Sequence, residues 1–339
     1  MLSLIVRDPG LQSTVQDYGR PSLGHLGVPA AGAMDTRSMA IANLLVGNDP
    51  AAAVLEMTIA GPRLEVTESA VIGLAGADLG GILSPSGARV LPGRSYRLDP
   101  GSTLSFPGRG SSGQPDGPSG SRGYVALPGG IDAPVVLGSR STCLAGHFGG
   151  LDGRPLRAAD ELHARDAGRL PSPVIWPVED ARPRGAAPAI RVVRGPIGGA
   201  DAGLRRALDE LLERTWTVRP DSDRMGVRLD GPSIATGGAG ELLSLGVPWG
   251  SIQVPPSGLP IVLAADHQST GGYPVVAVVA TVDRPVIGQL TPGDQVRFEL
   301  VDLGAARRAF LDEEGRFRRL AAQLEEARTM ADAIGWAGS

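Results

Sequence analysis

The sequence predicts a mainly β protein with a few helices, and three observations predict it. Glycine and proline are dense, 49 and 29 of 339 residues, which marks many tight turns between short elements. Two stretches carry strand patterns: Gln295–Val301 alternates, with Val296, Phe298 and Leu300 on one face, and Val275–Val282 is a continuous apolar run of the kind buried on both faces. Helical periodicity is confined to three segments.

The first helix is expected over Thr36–Val46. Asp35 is placed to cap it, Met39, Ala42 and Leu45 or Val46 share a face, and Gly47-Asn48 ends it. The second follows Asp201, with Leu204, Leu208, Leu211 and Leu212 at helical spacing. The third runs from about Ala305 to Ile334, its stripe made of Phe310, Phe317, Leu320, Leu324, Ala327, Ala331 and Ile334. Gly315 should break or kink it. The stripe suits either packing on its own domain or docking to a partner protein. Thr291-Pro-Gly-Asp294 has proline and glycine where a type II turn wants them.

Proline recurs at 171, 173, 177, 183 and 188, so the stretch from Ala164 to Pro188 is the candidate linker. The domains expected are an N-terminal β-rich one over 1–170, a linker over 171–188, a second β domain over 189–303 and a helical extension over 304–339. Gly108–Gly123 is low in complexity and expected to be a loop. A faint echo crosses the linker: Gly61-Pro62 and Gly231-Pro232 each precede a strand-like run, and Asp160-Glu161-Leu162 parallels Asp294-Gln295-Val296.

Composition excludes several classes. The net charge of -4 with both signs spread along the chain offers no basic patch for nucleic acid. No apolar run reaches the roughly 18 residues of a membrane span. Met1–Gly10 turns polar too quickly for a signal peptide, and the single cysteine, Cys143, permits no internal disulfide, so a cytoplasmic protein is expected. All 32 basic residues are arginine. Without lysine there is no Schiff base, no P-loop and no covalent attachment of biotin to this chain. His25, His147, His163 and His267 are scattered and suggest no metal site. Gly108–Gly113 matches G-x-G-x-x-G, but the glycine- and proline-rich stretch that follows is no helix start. Cys143 reads as a small buried hydrophobe.

Two polar clusters lie among glycines that permit close backbone approach. The first sets Asp17, Arg20, His25 and Asp35 in one irregular region. Arg20 could hold a carboxylate or phosphate with its planar fork, and Asp17 could orient it or act on a proton. A structural Asp–Arg pair fixing a turn fits the spacing equally. The second cluster gathers Asp223 and Arg224, then Gln253, then Asp266, Gln268, Thr270 and Tyr273 behind the apolar strand Pro260–Ala264. Gly271 and Gly272 could expose their N–H groups as an anion nest. The alternative is a polar turn that satisfies its own backbone.

These segments resemble the KipA-type family, which includes the C-type component of bacterial 5-oxoprolinase (also called allophanate hydrolase subunit 2) and part of the carboxyltransferase domain of urea carboxylase. The resemblance covers residues 2 to about 302. It rests on Thr14-Val-Gln-Asp-Tyr-Gly-Arg20, Gly32-Ala-Met-Asp35, Asn43-Leu-Leu-Val-Gly-Asn48, Leu55-Glu-Met-Thr58, Gly129-Gly-Ile131, Gly138-Ser-Arg-Ser-Thr142, Ser222-Asp-Arg-Met-Gly226, Ile252-Gln-Val-Pro-Pro256 and Thr270-Gly-Gly-Tyr-Pro274. The chain departs from the family at His267 and Ser269, where arginine and threonine are usual.

The resemblance implies two cyclophilin-like β-barrel domains, a shorter KipI-type partner (the B-type component) and an amidohydrolase-like third subunit (the A-type component). It implies that the assembled enzyme uses ATP to open 5-oxoproline, a small-molecule amide, to glutamate. The catalytic residues expected on that footing are Asp17, Arg20, Asp223, Arg224 and Asp266. His25, Asp35, Gln253, Gln268, Thr270, Gly271, Gly272 and Tyr273 would bind substrate, and no metal is expected. The alternatives are carboxyl transfer from carboxybiotin to urea or a related amide, and a non-catalytic regulator that antagonises a kinase inhibitor through its helix faces.

Overall fold

In the computed structural model, residues 3–108, 120–165, 171–176, 187–196, 202–237 and 243–337 are described. The chain forms two compact units. One comprises Met1–Gly19, Asp35–Arg182 and Arg316–Ser339; the other comprises Arg20–Met34 and Pro183–Gly315. The first unit is thus discontinuous, and the segment Arg20–Met34 belongs with residues far from it in sequence.

The first unit lays its strands in a six-stranded and a five-stranded sheet. Their inward residues make one core: Leu4, Val6, Leu64 and Leu104 come from the larger sheet, and Val15, Leu55, Ile72 and Val125 from the smaller. The helix Thr36–Leu44 lies on the smaller sheet, two residues shorter than expected. It comes so close that a Cβ on Gly73 would sit 2.1 Å from the carbonyl oxygen of Ala42, so glycine is required there by contact rather than by conformation. Asp35 caps this helix as expected, its carboxylate accepting from the backbone N–H groups of Arg37 and Ser38.

The second unit is a closed barrel of the strands Ala189–Arg194, Val275–Val279, Ser251–Gln253, Ile261–Leu263, Gly226–Asp230, Trp216–Val218 and Gln295–Leu300, in that spatial order. The first and last pair in parallel and shut the ring, which leaves the barrel no open sheet edge. Ile190, Trp216, Leu229, Ile252, Val262 and Phe298 fill the interior. The helix Ala202–Glu213 contributes Leu204, Ala207, Leu208 and Leu211 to this same core, and the indole N–H of the fully buried Trp216 donates to the Leu211 carbonyl at 3.0 Å. Its apolar face is therefore committed within the unit and is not available as a protein-docking face; Asp201 lies outside the described residues.

Several expectations change. Leu300 is 40% exposed, so only Val296 and Phe298 of the last strand face inward. The run from Val275 leaves the sheet after Val279, because Thr281–Asp283 turns as a 3-10 helix. The C-terminal helix runs without interruption over Leu303–Ala337, through Gly315; one glycine costs about 1 kcal/mol in a helix and does not end one with turns on both sides. Of its stripe, Phe317, Leu320 and Leu324 pack with Leu45, Val174 and Trp176 in the first unit, while Phe310 and Ala327 are not part of that cluster. Phe317 also lies 5.6 Å from Trp176 and carries the Arg37 guanidinium 4.1 Å over its ring. Within the proline-rich stretch, residues 171–176 pair with strand residues: Val174 bonds through both backbone groups to Ser95, and the Trp176 N–H donates to Gly93. The low-complexity stretch lies outside the described residues over 109–119, and the strand Arg122–Ala126 begins inside its expected limits.

The sequence echo holds at its turns and fails at its glycine-prolines. Gly231-Pro232 follows a strand rather than leading into one. Asp160 and Asp294, however, close the same turn. In each the residue before the aspartate is left-handed (Ala159 φ 71°, Gly293 φ 89°), the aspartate N–H donates to the residue three back, and its carboxylate accepts that residue's N–H at 2.7 Å. The Thr291–Asp294 turn is thus realised as expected.

Asp160 is also gripped by both terminal nitrogens of Arg154, at 2.7 and 2.8 Å. That hydrogen bonding, with help from the Arg157 N–H, holds its carboxyl below the ordinary aspartate value. A depressed folded value means the stabilisation is present above about pH 4 and is lost as pH falls through the folded value. Asp160→Asn should cost about 1–2 kcal/mol at neutral pH, and urea midpoints of the two proteins should converge on acidification. A gap that stays constant down to about pH 2 would refute the assignment.

Candidate functional site

The strands Gly226–Asp230 and Ile261–Leu263 are antiparallel neighbours, with Gly226 opposite Leu263. The turn that precedes the first and the turn that follows the second therefore meet at one end of the barrel. Two backbone bonds tie them, Ala264 N–H to the Met225 carbonyl and Asp266 N–H to the Arg224 carbonyl. This places Arg224 against Asp266 although 42 residues separate them. Nε and Nη2 of Arg224 donate to the two carboxylate oxygens, each at 2.9 Å, and Nη2 also donates to the Gly32 carbonyl at 2.7 Å. Both side chains are at most 3% exposed. A bidentate pair so thoroughly removed from water is held in one geometry. It fixes the Gly32 loop to the Ala264–Asp266 turn, within a unit where Arg20 is also buried.

Gln253 ends the strand Ser251–Gln253 and is 2% exposed, its Nε2 donating to the Tyr273 carbonyl at 3.4 Å. Gly271 passes directly over it: a Cβ there would come 2.5 Å from that nitrogen. A cavity of about 440 Å³ opens beside these residues, walled by Leu245, Val247, Pro248, Gly271, Tyr273 and Val275. Gln268 and Thr270 are exposed. The glycine pair does not form the expected nest. Gly271 pairs with Leu245 in a short antiparallel ladder, and neither glycine takes the left-handed conformation that a nest requires. A side chain at position 271 would have to displace the Gln253 amide from its place.

Asp223 is exposed, and its carboxylate accepts the N–H groups of Met225 and Gly226, so it serves its own turn. His25 is exposed in the 3-10 turn Pro21–Leu26, with Nδ1 3.1 Å from the Ser22 carbonyl. His267 is buried, with one ring nitrogen 2.6 Å from the Ala264 carbonyl and the other 3.0 Å from that of Val247. Its ring spans backbone rather than facing the cavity.

Asp17 and Asp35 belong to the first unit and are occupied there. Asp17 accepts four hydrogen bonds, from Gly19 N–H at 2.7 Å and from Ser139 Oγ, Ser141 Oγ and Arg140 N–H at 2.6 Å. With four donors on it, the carboxylate braces the end of the strand Gln12–Gln16 against the 138–142 loop. Asp35 is the helix cap, and Ser38 Oγ donates to its second oxygen at 2.6 Å. Sequence reasoning missed the group beside it. The Asp35 N–H donates to the Tyr124 hydroxyl, which donates at 2.8 Å to Glu56, itself 3.8 Å from Arg122. Burial first, and then the charges of Glu56 and Asp35, push the Tyr124 phenol well above its ordinary value. The signal was present in the family-like segment Leu55-Glu-Met-Thr58, where a glutamate stands in an otherwise apolar strand.

Chemically, Arg224 is spent on Asp266 and the Gly32 carbonyl and acts as a fixed brace, while the mostly apolar cavity, with Tyr273 and Ser251 in its wall, is the space open to a small molecule. Cys143 is buried. Among the described residues no group of histidine, cysteine, aspartate and glutamate side chains could hold a metal ion, and no helix is long and apolar enough to cross a membrane.

Comparison with known proteins gives a consistent picture. The family described as carboxyltransferase domain, subdomain A and B, matches residues 26–300. The chain is 34% identical over 325 residues to the C-type component of 5-oxoprolinase from Escherichia coli, covering 93% of this chain and 96% of that one. Among solved structures it is similar to TTHA0988, with a TM-score of 0.76 and 37% identity over 88% of this chain, and it spans 56% of that protein's length. It is also similar to K. lactis urea amidolyase, with a TM-score of 0.79 and 30% identity over 94% of this chain, and there it spans only 20% of the longer protein.

Proposed function

The chain belongs to the carboxyltransferase-domain family, subdomains A and B, and on that footing we propose that it is the C-type component of an ATP-dependent 5-oxoprolinase. The observation that carries this reading is the match to a separately encoded 5-oxoprolinase component over 96% of that component's length. The urea amidolyase match is to a part of a much longer chain.

The reaction converts 5-oxoproline, ATP and two waters to glutamate, ADP and phosphate. An unstrained five-membered lactam is a poor electrophile, and coupling to ATP supplies the activation its carbonyl lacks. The active enzyme would comprise this chain, a shorter KipI-type partner and an amidohydrolase-like third subunit. This chain, having no lysine, has neither a P-loop nor a site for covalent biotin. Its part is to bind and orient. Arg20 and the barrel-end residues around Gln253 and Tyr273 would hold the amide and its carboxylate, and the Arg224–Asp266 pair would keep the Gly32 loop and the Ala264–Asp266 turn in register.

A second reading, transfer of a carboxyl group from carboxybiotin to urea or a related amide, is favoured by the likeness to urea amidolyase. One experiment separates the two. The assembled complex is offered 5-oxoproline with ATP in one arm and urea with enzymatically carboxylated biotin in the other, and products are identified by mass. Glutamate in the first arm alone supports the oxoprolinase. Carboxylated urea in the second, with no glutamate in the first, would overturn it.

A further inference from the structure

Arg284 is a cation for which the barrel provides no counter-ion. It opens the short helix Arg284–Gly288, directly after Asp283. The structure sends Asp283 elsewhere. Its carboxylate accepts Nε and Nη2 of Arg191 at 2.8 and 2.6 Å and the Arg191 backbone N–H at 2.7 Å. Among the described residues no carboxylate lies within 4.0 Å of Arg284.

What holds Arg284 is Trp249. Nη2 donates to the Trp249 carbonyl at 3.0 Å, and the guanidinium lies 5.2 Å from the centre of the indole ring. Nε is buried with no hydrogen-bond partner. Burial lowers the guanidinium below the ordinary arginine value, with no charged neighbour opposing it. A desolvated charge with an unused donor is costly unless something pairs with it. Trp249 packs in turn against Met34, Ala264 and Ala265, the residues next to Asp35 and Asp266 in the chain. The cation therefore stands on the indole that borders the barrel-end site.

We propose that Arg284 is an oxyanion-binding residue, and that the ligand is a small carboxylate or phosphate received by the donors that Trp249 leaves unused. The planar fork of arginine suits both ions, and the Trp249 carbonyl and indole hold the guanidinium in place before the ligand arrives. The proposal concerns the ligand class and does not depend on the oxoprolinase reading.

The test is calorimetric titration of the full chain, at constant ionic strength, with inorganic phosphate in one arm and 5-oxoproline in the other. Arg284→Gln and Arg284→Lys are titrated in parallel after circular dichroism shows them folded. Saturable binding with Kd of about 1 mM or tighter is expected in at least one arm, and the responding arm identifies the source as phosphoryl or carboxylate. Arg284→Gln should weaken that binding about tenfold or more, and Arg284→Lys should weaken it less because it keeps the charge. No saturable binding by the wild type in either arm up to about 20 mM overturns the proposal. So does undiminished binding by Arg284→Gln. If Arg284→Gln does not fold, Arg284→Lys decides alone: unchanged affinity overturns the proposal, because an ammonium cannot reproduce the planar fork.

Discussion

Arg224→Ala should destabilise the barrel unit by about 3–5 kcal/mol. The substitution leaves the Asp266 carboxylate at 2% exposure without its bidentate partner and removes the donor to the Gly32 carbonyl. The cost is dominated by the stranded charge rather than by the lost attraction. The double change Arg224→Met with Asp266→Leu should therefore be less damaging than Arg224→Ala alone. Urea unfolding gives the magnitude, and hydrogen exchange gives the location: protection should fall in residues 28–34 and 261–266 together, because one guanidinium ties both. Exchange that rises at only one of them would contradict the tie.

Asp17→Ala should cost the first unit about 2–4 kcal/mol. Four donors lose their acceptor at once, two of them backbone N–H groups, and each unsatisfied donor costs about 1 kcal/mol or more where water cannot replace the carboxylate. This outcome also separates the two readings that the sequence left open. A brace predicts that loss of activity follows loss of folded protein, and that activity per folded complex is largely kept. A proton-handling aspartate predicts a stable, well-folded protein with turnover lowered by about 10²-fold or more.

The fold was legible where the signal is local. Asp35 precedes an apolar helical period and caps it; proline and glycine at 292 and 293 make the turn they spell; leucines at 204, 208 and 211 face a core. What could not be read depends on partners distant in sequence. Nothing around Arg20–Met34 says that this segment groups with the barrel unit rather than with its chain neighbours. A polar run such as Thr14–Arg20 looks the same whether it awaits a ligand or braces a loop. The donors that Asp17 meets in the fold, Ser139 and Ser141, lie 122 and 124 residues away and leave no mark on that run. The same holds for Asp283 and Arg284, adjacent in sequence but directed to different neighbours. Glycine pairs are ambiguous for a further reason. Composition shows that position 271 can take the left-handed conformation, whereas in the fold it is part of a short antiparallel ladder beside the Gln253 amide. In the second cluster, antiparallel strand pairing brings Arg224 to Asp266 whatever their role.

Whether this chain is a working part of a 5-oxoprolinase is tested by glutamate release from 5-oxoproline with ATP, using this chain together with its shorter partner and the third subunit, each omitted in turn. Turnover is expected with all three present and none when this chain is left out, with phosphate released alongside the glutamate. Undiminished turnover without this chain, or a well-folded three-component complex that releases no glutamate, would contradict that role.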